Sequence, residues 1–316
     1  MRGRVIPAAV SAALVMAAMP VALTAPVPTL TLAPLAGAPG AAALLHPFRR
    51  GPVATPHSLL VKGQYYSANW GGFIDGATPS TTSSTGLTGT GATFSGVAAT
   101  WNVPQLQKSP PGSYESSWVG IGGVTGTENL LQAGTMEYFS GRRATYVAFV
   151  EDYPNPPLSI VEGSTPAPVR PGDTITVTVS APNTVTVTDA TQNWTFGPTD
   201  MASIYEADGD TYYPPDQSTA EWIVEDPTCG GSLCTFANFS PETFGTVQDS
   251  ATAIPTTGSH TPLESVIVNA AGQQQVSVSP TAIGSGGLGT STYSSFTVTR
   301  VSTSGGSTPG HGHKGK

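Results

Sequence analysis

The chain has 316 residues, with 12 Lys+Arg against 20 Asp+Glu and a pI near 5.0. Four of the twelve cations (Arg2, Arg4, Arg49, Arg50) precede residue 60 and no carboxylate does, so from residue 61 onward the balance is 8 against 20, a formal charge of −12. That excess argues against nucleic acid and anionic membranes as partners. The 10% charged fraction, with Thr, Ser, Gly, Val and Pro abundant, resembles exported β-rich proteins more than cytosolic helical ones.

Residues 1–25 read as a secretory signal. Arg2 and Arg4 supply the positive start, and Ile6 to Leu23 is an apolar, small-residue run interrupted by Pro20. Pro20 and the many alanines favour a cleaved leader over a membrane anchor, and Ala25 marks an approximate cleavage position. The product is expected to be secreted, extracellular and without membrane contact after signal removal. Residues 26–60, rich in Ala, Pro, Leu and Gly, read as a pro-segment or linker, with Arg49-Arg50 as a candidate processing site.

Residues 61–304 form the body. Short alternating runs recur through it: VAATWNV (97–103), ESSWVGI (115–121), NLLQAGT (129–135), ATYVAFVEDY (144–153), DTITVTVS (173–180), TVTVTDA (184–190), QNWTFG (192–197), AEWIVED (220–226), ESVIVNA (264–270), QQVSVSP (274–280) and SSFTVTR (294–300). No long stretch repeats apolar residues at helical spacing. Many short strands with Gly, Pro, Asn or Asp between them predict an all-β fold, an antiparallel β-sandwich of two packed sheets, in one domain. Residues 305–316 read as a solvated tail. Cys229 and Cys234, in TCGGSLCT, flank a Gly-Gly turn and are expected to close a small disulfide. Zinc would need two further ligands nearby, which the sequence lacks.

The chemistry available narrows by elimination. From residue 61 to 304 the only histidine is His260, and no GxSxG elbow accompanies it. The cysteines are expected to be paired, and a zinc hydrolase would lack its histidines. The acidic turn EADGD (206–210) lacks a complete calcium loop and reads as a solvated turn. GTGAT and SGGLGT are glycine runs with neither a P-loop lysine nor a following helix.

Carboxylates and amides remain. In AEWIVED, period-2 alternation places Glu221, Ile223 and Glu225 on one face and Trp222, Val224 and Asp226 on the other. Taken alone, Glu221 reads as an ordinary charged residue at a sheet edge. Buried among Ala, Trp, Ile and Val, its pKa would rise toward useful acid/base chemistry. Four residues along a strand span roughly 13 Å, too far for Glu225 to be its close partner. Gln132, a primary amide in the middle of LLQAGT, is a candidate partner from another strand.

SANWGG (67–72), SWVGIGG (117–123), LLQAG (130–134), FVEDYP (149–154), AEWIVED (220–226) and CGGSLCTFANFSP (229–241) occur in the order seen in glutamic peptidases. The chain resembles this family, also called eqolisins or the G1 peptidases, over about residues 64–300, and looks like a bacterial-type member. The resemblance implies an acid-active endopeptidase built on two packed seven-stranded antiparallel sheets, with Gln132 and Glu221 as the catalytic dyad. It implies that Trp70, Trp118, Glu151 and Tyr153 line the cleft or support the dyad. It implies polypeptide substrates, a monomer, and no metal or other cofactor. The chain departs from the family pattern at Gly122, where Asp is frequent, at Val147, where an acidic residue is frequent, and at Phe149, which replaces Trp. Two other readings share these residues: a glycoside hydrolase using Glu221 and Glu151, and a non-catalytic carbohydrate-binding protein stacking sugars on Trp70, Trp118 and Tyr153. Trp101 and Trp194 read as core residues under each.

Overall fold

The computed structural model describes residues 29–35, 43–44, 60–61, 64–83, 86–125, 127–253, 262–280 and 292–301. The signal segment, Arg49-Arg50, His260, SGGLGT and the 305–316 tail lie outside the described residues. The body folds as two stacked β-sheets. In the larger, 12-stranded sheet the order across the centre is Leu30–Pro34, Leu158–Glu162, Arg143–Tyr153, Leu130–Ser140, Ser113–Gly122, Ala220–Glu225, Trp70–Asp75, Leu263–Ile267 and Gln64–Ser67. In the smaller, 7-stranded sheet it is Trp194–Asp200, Thr184–Asp189, Thr174–Ser180, Thr93–Asn102, Glu242–Ala253, Thr292–Arg300 and Val276–Pro280.

Each alternating run of the sequence overlaps one of these strands. The expectation of two equal seven-stranded antiparallel sheets needs correction: the larger sheet is wider and contains two parallel pairings. Leu263–Ile267 runs parallel to Gln64–Ser67, and Thr235–Phe236 runs parallel to the start of Ser113–Gly122. Several elements lie outside the alternating runs, among them the strands Gln64–Ser67, Trp70–Asp75 and Leu158–Glu162, and two of the others are instructive. One is the long strand Glu242–Ala253, whose pairing with Thr93–Asn102 is broken by register shifts. The other is the helix Met201–Asp208, too short for a periodic signature; it is capped by Asp200, which accepts the Ser203 N–H, and ends at Gly209 with φ 82°.

Period 2 sorts the side chains. Val119, Ile121, Leu131, Ala133, Ala148, Val150, Trp222 and Val224 of the larger sheet face Val97, Ala99, Trp101, Val177 and Val187 of the smaller, and Trp194 joins the same core. The opposite face of the larger sheet carries a second apolar cluster containing Trp70, Ile74, Trp118, Leu130, Met136, Phe149 and Ile223. Both faces are therefore covered. Burying an apolar side chain contributes about 1.5–3 kcal/mol, and the strands at the centre of this sheet gain it on both sides.

Candidate active site

Antiparallel register brings four chemically useful positions into one row on the face turned away from the smaller sheet. Glu221 lies opposite Gly120, Gly120 opposite Gln132, and Gln132 opposite Glu151. Ile74 closes the row beyond Glu221. With strands about 4.8 Å apart, the Gln132 and Glu221 backbones stand roughly 10 Å from each other. Gly120 occupies the strand between them. A Cβ there would come within 2.9 Å of Leu130 Cδ1, 3.1 Å of Gln132 Cβ and 3.1 Å of Trp118 Cζ3. The missing side chain thus lets Leu130, Gln132 and Trp118 close in over the strand between the amide and the carboxyl.

Gln132 Nε2 donates to Glu151 Oε2 at 2.6 Å, which fixes the amide and leaves its second N–H and its Oε1 uncommitted. Glu151 is fully buried, and its pKa is raised well above the ordinary value by burial first, with Glu225 and Asp152 adding and the Gln132 hydrogen bond opposing. Glu221 is also fully buried, and neither carboxyl oxygen has a hydrogen-bond partner. Its pKa too is raised well above the ordinary value. Burial is the main cause; the Thr219 hydroxyl opposes it, although short of hydrogen-bond geometry, and the charges of Asp216 and Asp75 add to it. An ionised, unpaired carboxylate in such a place is costly, so burial favours the neutral acid.

The row below holds Gly72, Ile223, Trp118, Gly134 and Phe149. Trp118 lies against Trp70 edge to face, with ring centroids 4.8 Å apart. Its indole Nε1 donates to Glu225 Oε2 at 2.9 Å, and Asn69 Nδ2 donates to Glu225 Oε1 at 3.3 Å. Glu225 is therefore no partner of Glu221 but the acceptor that orients Trp118. Period 2 had put Glu225 on this face; nothing in the sequence paired it with an indole 107 positions away. Tyr153 is half-buried at the rim beside the same cluster. All six candidate residues thus lie on one face, with Gln132 touching Glu151, Trp70 touching Trp118, and Glu221 facing Gln132 across Gly120. The departures Val147 and Phe149 are apolar members of this cluster, and Gly122, with φ 90°, ends its strand in a conformation that disfavours Asp.

Several segments close over this face. The hairpin Ala77–Pro79 and Leu87–Gly89 packs Ala77 and Leu87 into the cluster, and the Cys229–Cys234 disulfide, with Cα atoms 5.0 Å apart, borders it. From the N-terminal region, Leu30–Pro34 pairs with Leu158–Glu162 at the sheet edge, where Leu30 and Leu32 pack against the inter-sheet core, and Ala43–Leu44 pairs with Thr228–Cys229. Leu35 packs against the far-face cluster.

Fold and row together define an all-β sandwich protein with an amide and carboxyl groups gathered on one sheet face, a set suited to acid–base chemistry. The sequence matches the profile of the Peptidase A4 family over residues 68–293, more than half the chain, and the protein belongs to that family. It is 29% identical over 184 residues to Aspergillopepsin-2 of Aspergillus niger, an alignment covering 57% of this chain and 63% of that protein. The match therefore spans less than two thirds of that relative. Among solved structures, a scytalido-glutamic peptidase bound to a transition-state analog inhibitor superposes with a TM-score of 0.53 at 21% identity, covering 74% of this chain and 98% of that one. SCP-B, an eqolisin-family peptidase in complex with the tripeptide Ala-Ile-His, superposes with a TM-score of 0.50 at 19% identity over the same shares. At these identities the structural likeness establishes the shared fold.

Proposed function

We propose that this protein is a secreted, acid-active endopeptidase that hydrolyses peptide bonds with a Gln132/Glu221 dyad and acts as a monomer on polypeptide substrates. Family membership supports peptide hydrolysis, and the observation that carries the dyad is the single row in which Gln132 and Glu221 flank Gly120. A water held between them would lose a proton to the Glu221 carboxylate as its oxygen attacks the scissile carbonyl. The Gln132 N–H not engaged by Glu151 would donate to the carbonyl oxygen as charge develops on it. Glu221 would then pass its proton to the departing amine, so the carboxylate is regenerated and no covalent intermediate forms. Glu151 fixes the amide, and Trp70, Trp118 and Tyr153 offer aromatic surface to the substrate.

The same reading makes residues 26–60 a pro-segment. Leu30–Pro34 and Ala43–Leu44 pair with strands of the body, Leu35 packs against the far-face cluster, and the buried row favours the neutral form of Glu221. That is a resting state. Removal of the segment admits water and substrate and lets Glu221 ionise.

The glycosidase alternative fits less well. Glu221 and Glu151 stand three strand spacings apart, roughly 14 Å between backbones, and the Gln132 amide, not a sugar-sized gap, adjoins Glu151. The test is digestion of an acid-denatured protein at acid pH, with glycan hydrolysis run alongside. Gln132→Ala is expected to retain its fold and lose at least about a hundredfold in kcat, the scale of removing one oxyanion donor. Near-normal turnover in that variant refutes the dyad, and activity on glycans alone refutes the peptidase.

A further inference from the structure

Asp216 lies half-buried in the segment that joins the helix Met201–Asp208 to the Glu221 strand. Its carboxyl group faces two ways. Oδ2 accepts the backbone N–H of Thr127 at 2.8 Å and the Thr127 hydroxyl at 3.4 Å. Oδ1 accepts the Ser218 N–H at 3.0 Å and the Ser218 hydroxyl at 2.7 Å. Ser218 Oγ in turn stands 2.7 Å from Thr125 Oγ1, and the Gly122 N–H donates to the Thr219 carbonyl at 3.0 Å.

These contacts lace together the two connections from which the dyad strands emerge. Thr127 precedes Gln132 by five residues, and Ser218 precedes Glu221 by three. Asp216 accepts four of these contacts, two from each approach segment, and so is the chief tie in this clasp. It acts where a small shift would change the Gln132–Glu221 separation. Gly120, between the two strands, offers no side chain to keep that distance.

Asp216 also contributes charge. The charged groups acting on Glu221 are Asp216, from this segment, and Asp75, from the adjacent strand. On the other side Gly120 brings nothing, and Gln132 and then Glu151 follow. The described residues place no cation in this row.

We propose that Asp216 is a positioning residue of the dyad: it fixes the separation of Gln132 and Glu221 by clasping their two approach segments, and it sets the negative charge that Glu221 faces. This rests on the dyad reading above. The roles separate because one is geometric and the other electrostatic.

The test measures kcat and KM against pH for the full chain after acid incubation, on an internally quenched peptide, with thermal unfolding midpoints recorded in parallel. In Asp216→Asn the charge is gone and one acceptor oxygen is lost. We expect kcat about tenfold lower, a loss on the scale of small misplacements, with KM within about twofold. Its acid limb should move to lower pH by about half a unit, because Glu221 ionises more readily once a neighbouring negative charge is removed. Asp216→Glu should return the limb to its wild-type position. Ser218→Ala, which keeps the charge and weakens the clasp, should lower kcat without moving the limb. Wild-type kcat and limb in Asp216→Asn overturn the proposal, and so does a lowered kcat with an unmoved limb, the mark of a purely structural brace. Glu221→Gln serves as control. Its inactivity confines a negative result to Asp216, whereas wild-type turnover in Glu221→Gln removes the dyad itself.

Discussion

The two sheets of this protein use the same strand period for opposite ends. In the smaller sheet, Thr174–Ser180 and Thr184–Asp189 alternate between buried valines and partly exposed threonines. The threonines pair across strands, Thr100 with Thr176 at 2.9 Å, Thr188 with Thr195 at 3.1 Å and Thr243 with Thr297 at 2.8 Å. In the larger sheet, Ser113–Gly122 and Ala220–Glu225 are buried at every position. There alternation does not separate core from water; it separates two buried surfaces. A sheet covered on both faces can keep carboxyl groups away from solvent, and this one does so twice. Glu221, Glu151 and Glu225 lie on the far face. Glu115 and Glu137, cross-strand neighbours, lie on the inner one, where Ser117 hydroxyl contacts join Glu115 to Glu242 of the opposite sheet.

Substitution in the two sheets breaks or sharpens this contrast. The largest effect is expected at Glu221, where replacement by Gln should cost about 10²–10⁴ in turnover, the range of a lost general base. Folding should survive, since the neutral amide replaces a carboxyl whose neutral form burial already favours. Wild-type turnover would show that the far face is only a second core. Next is the effect of pH on the fold. Glu115 is pushed up to about 7 from an ordinary 4.5, by burial first and against the opposing hydrogen bonds of Glu137 and Ser117, and Glu137 and Glu242 are raised well above it. The unfolded chain releases these protons near 4.5 while the folded chain keeps them. Between those values the unfolded state binds fewer protons, so stability is full below about 4.5 and falls as pH rises, Glu115's share being lost by about 7. Each unit of displacement corresponds to about 1.4 kcal/mol. Thermal midpoints measured from pH 3 to 8 should therefore decline steadily; a maximum near neutrality would contradict the buried-acid picture.

A smaller effect is expected from Glu242→Gln, which removes one titrating group yet leaves an acceptor for Ser117. The midpoint should then depend less steeply on pH, with little change at acid pH; an unaltered slope would exclude Glu242 from the inter-sheet group. The smallest effect belongs to the solvent side of the smaller sheet. Replacing Thr100 and Thr176 together by Val should change stability by about 1 kcal/mol or less, as cross-strand hydroxyl pairs do, with no change in kcat. A large loss of turnover there would mean that function is not confined to the larger sheet.

Many of the strands were readable from their alternation, and period 2 set Glu221 and Glu225 on one face; Glu151 came from the family resemblance, and strands such as Trp70–Asp75 and Leu158–Glu162 lay outside the alternating runs. Alternation likewise made Trp101 and Trp194 legible as core. The helix Met201–Asp208 was not, because eight residues hold too few turns for a stripe to stand out. Glu225 was read as a distant second carboxylate, and its contact with Trp118 depends on the pairing of strands far apart in sequence.

By itself, then, the sequence determined the fold class, many of the strands and the side of its strand that Glu221 shares with Glu225, all consequences of local alternation. Tertiary structure decided who meets whom. The register that sets Glu221 and Gln132 on either side of Gly120, the Glu151 carboxyl on the Gln132 amide, and the Asp216 clasp across 89 positions all depend on how strands from distant parts of the chain align. A one-residue slip in any of those pairings would preserve each strand's alternation and dissolve the row.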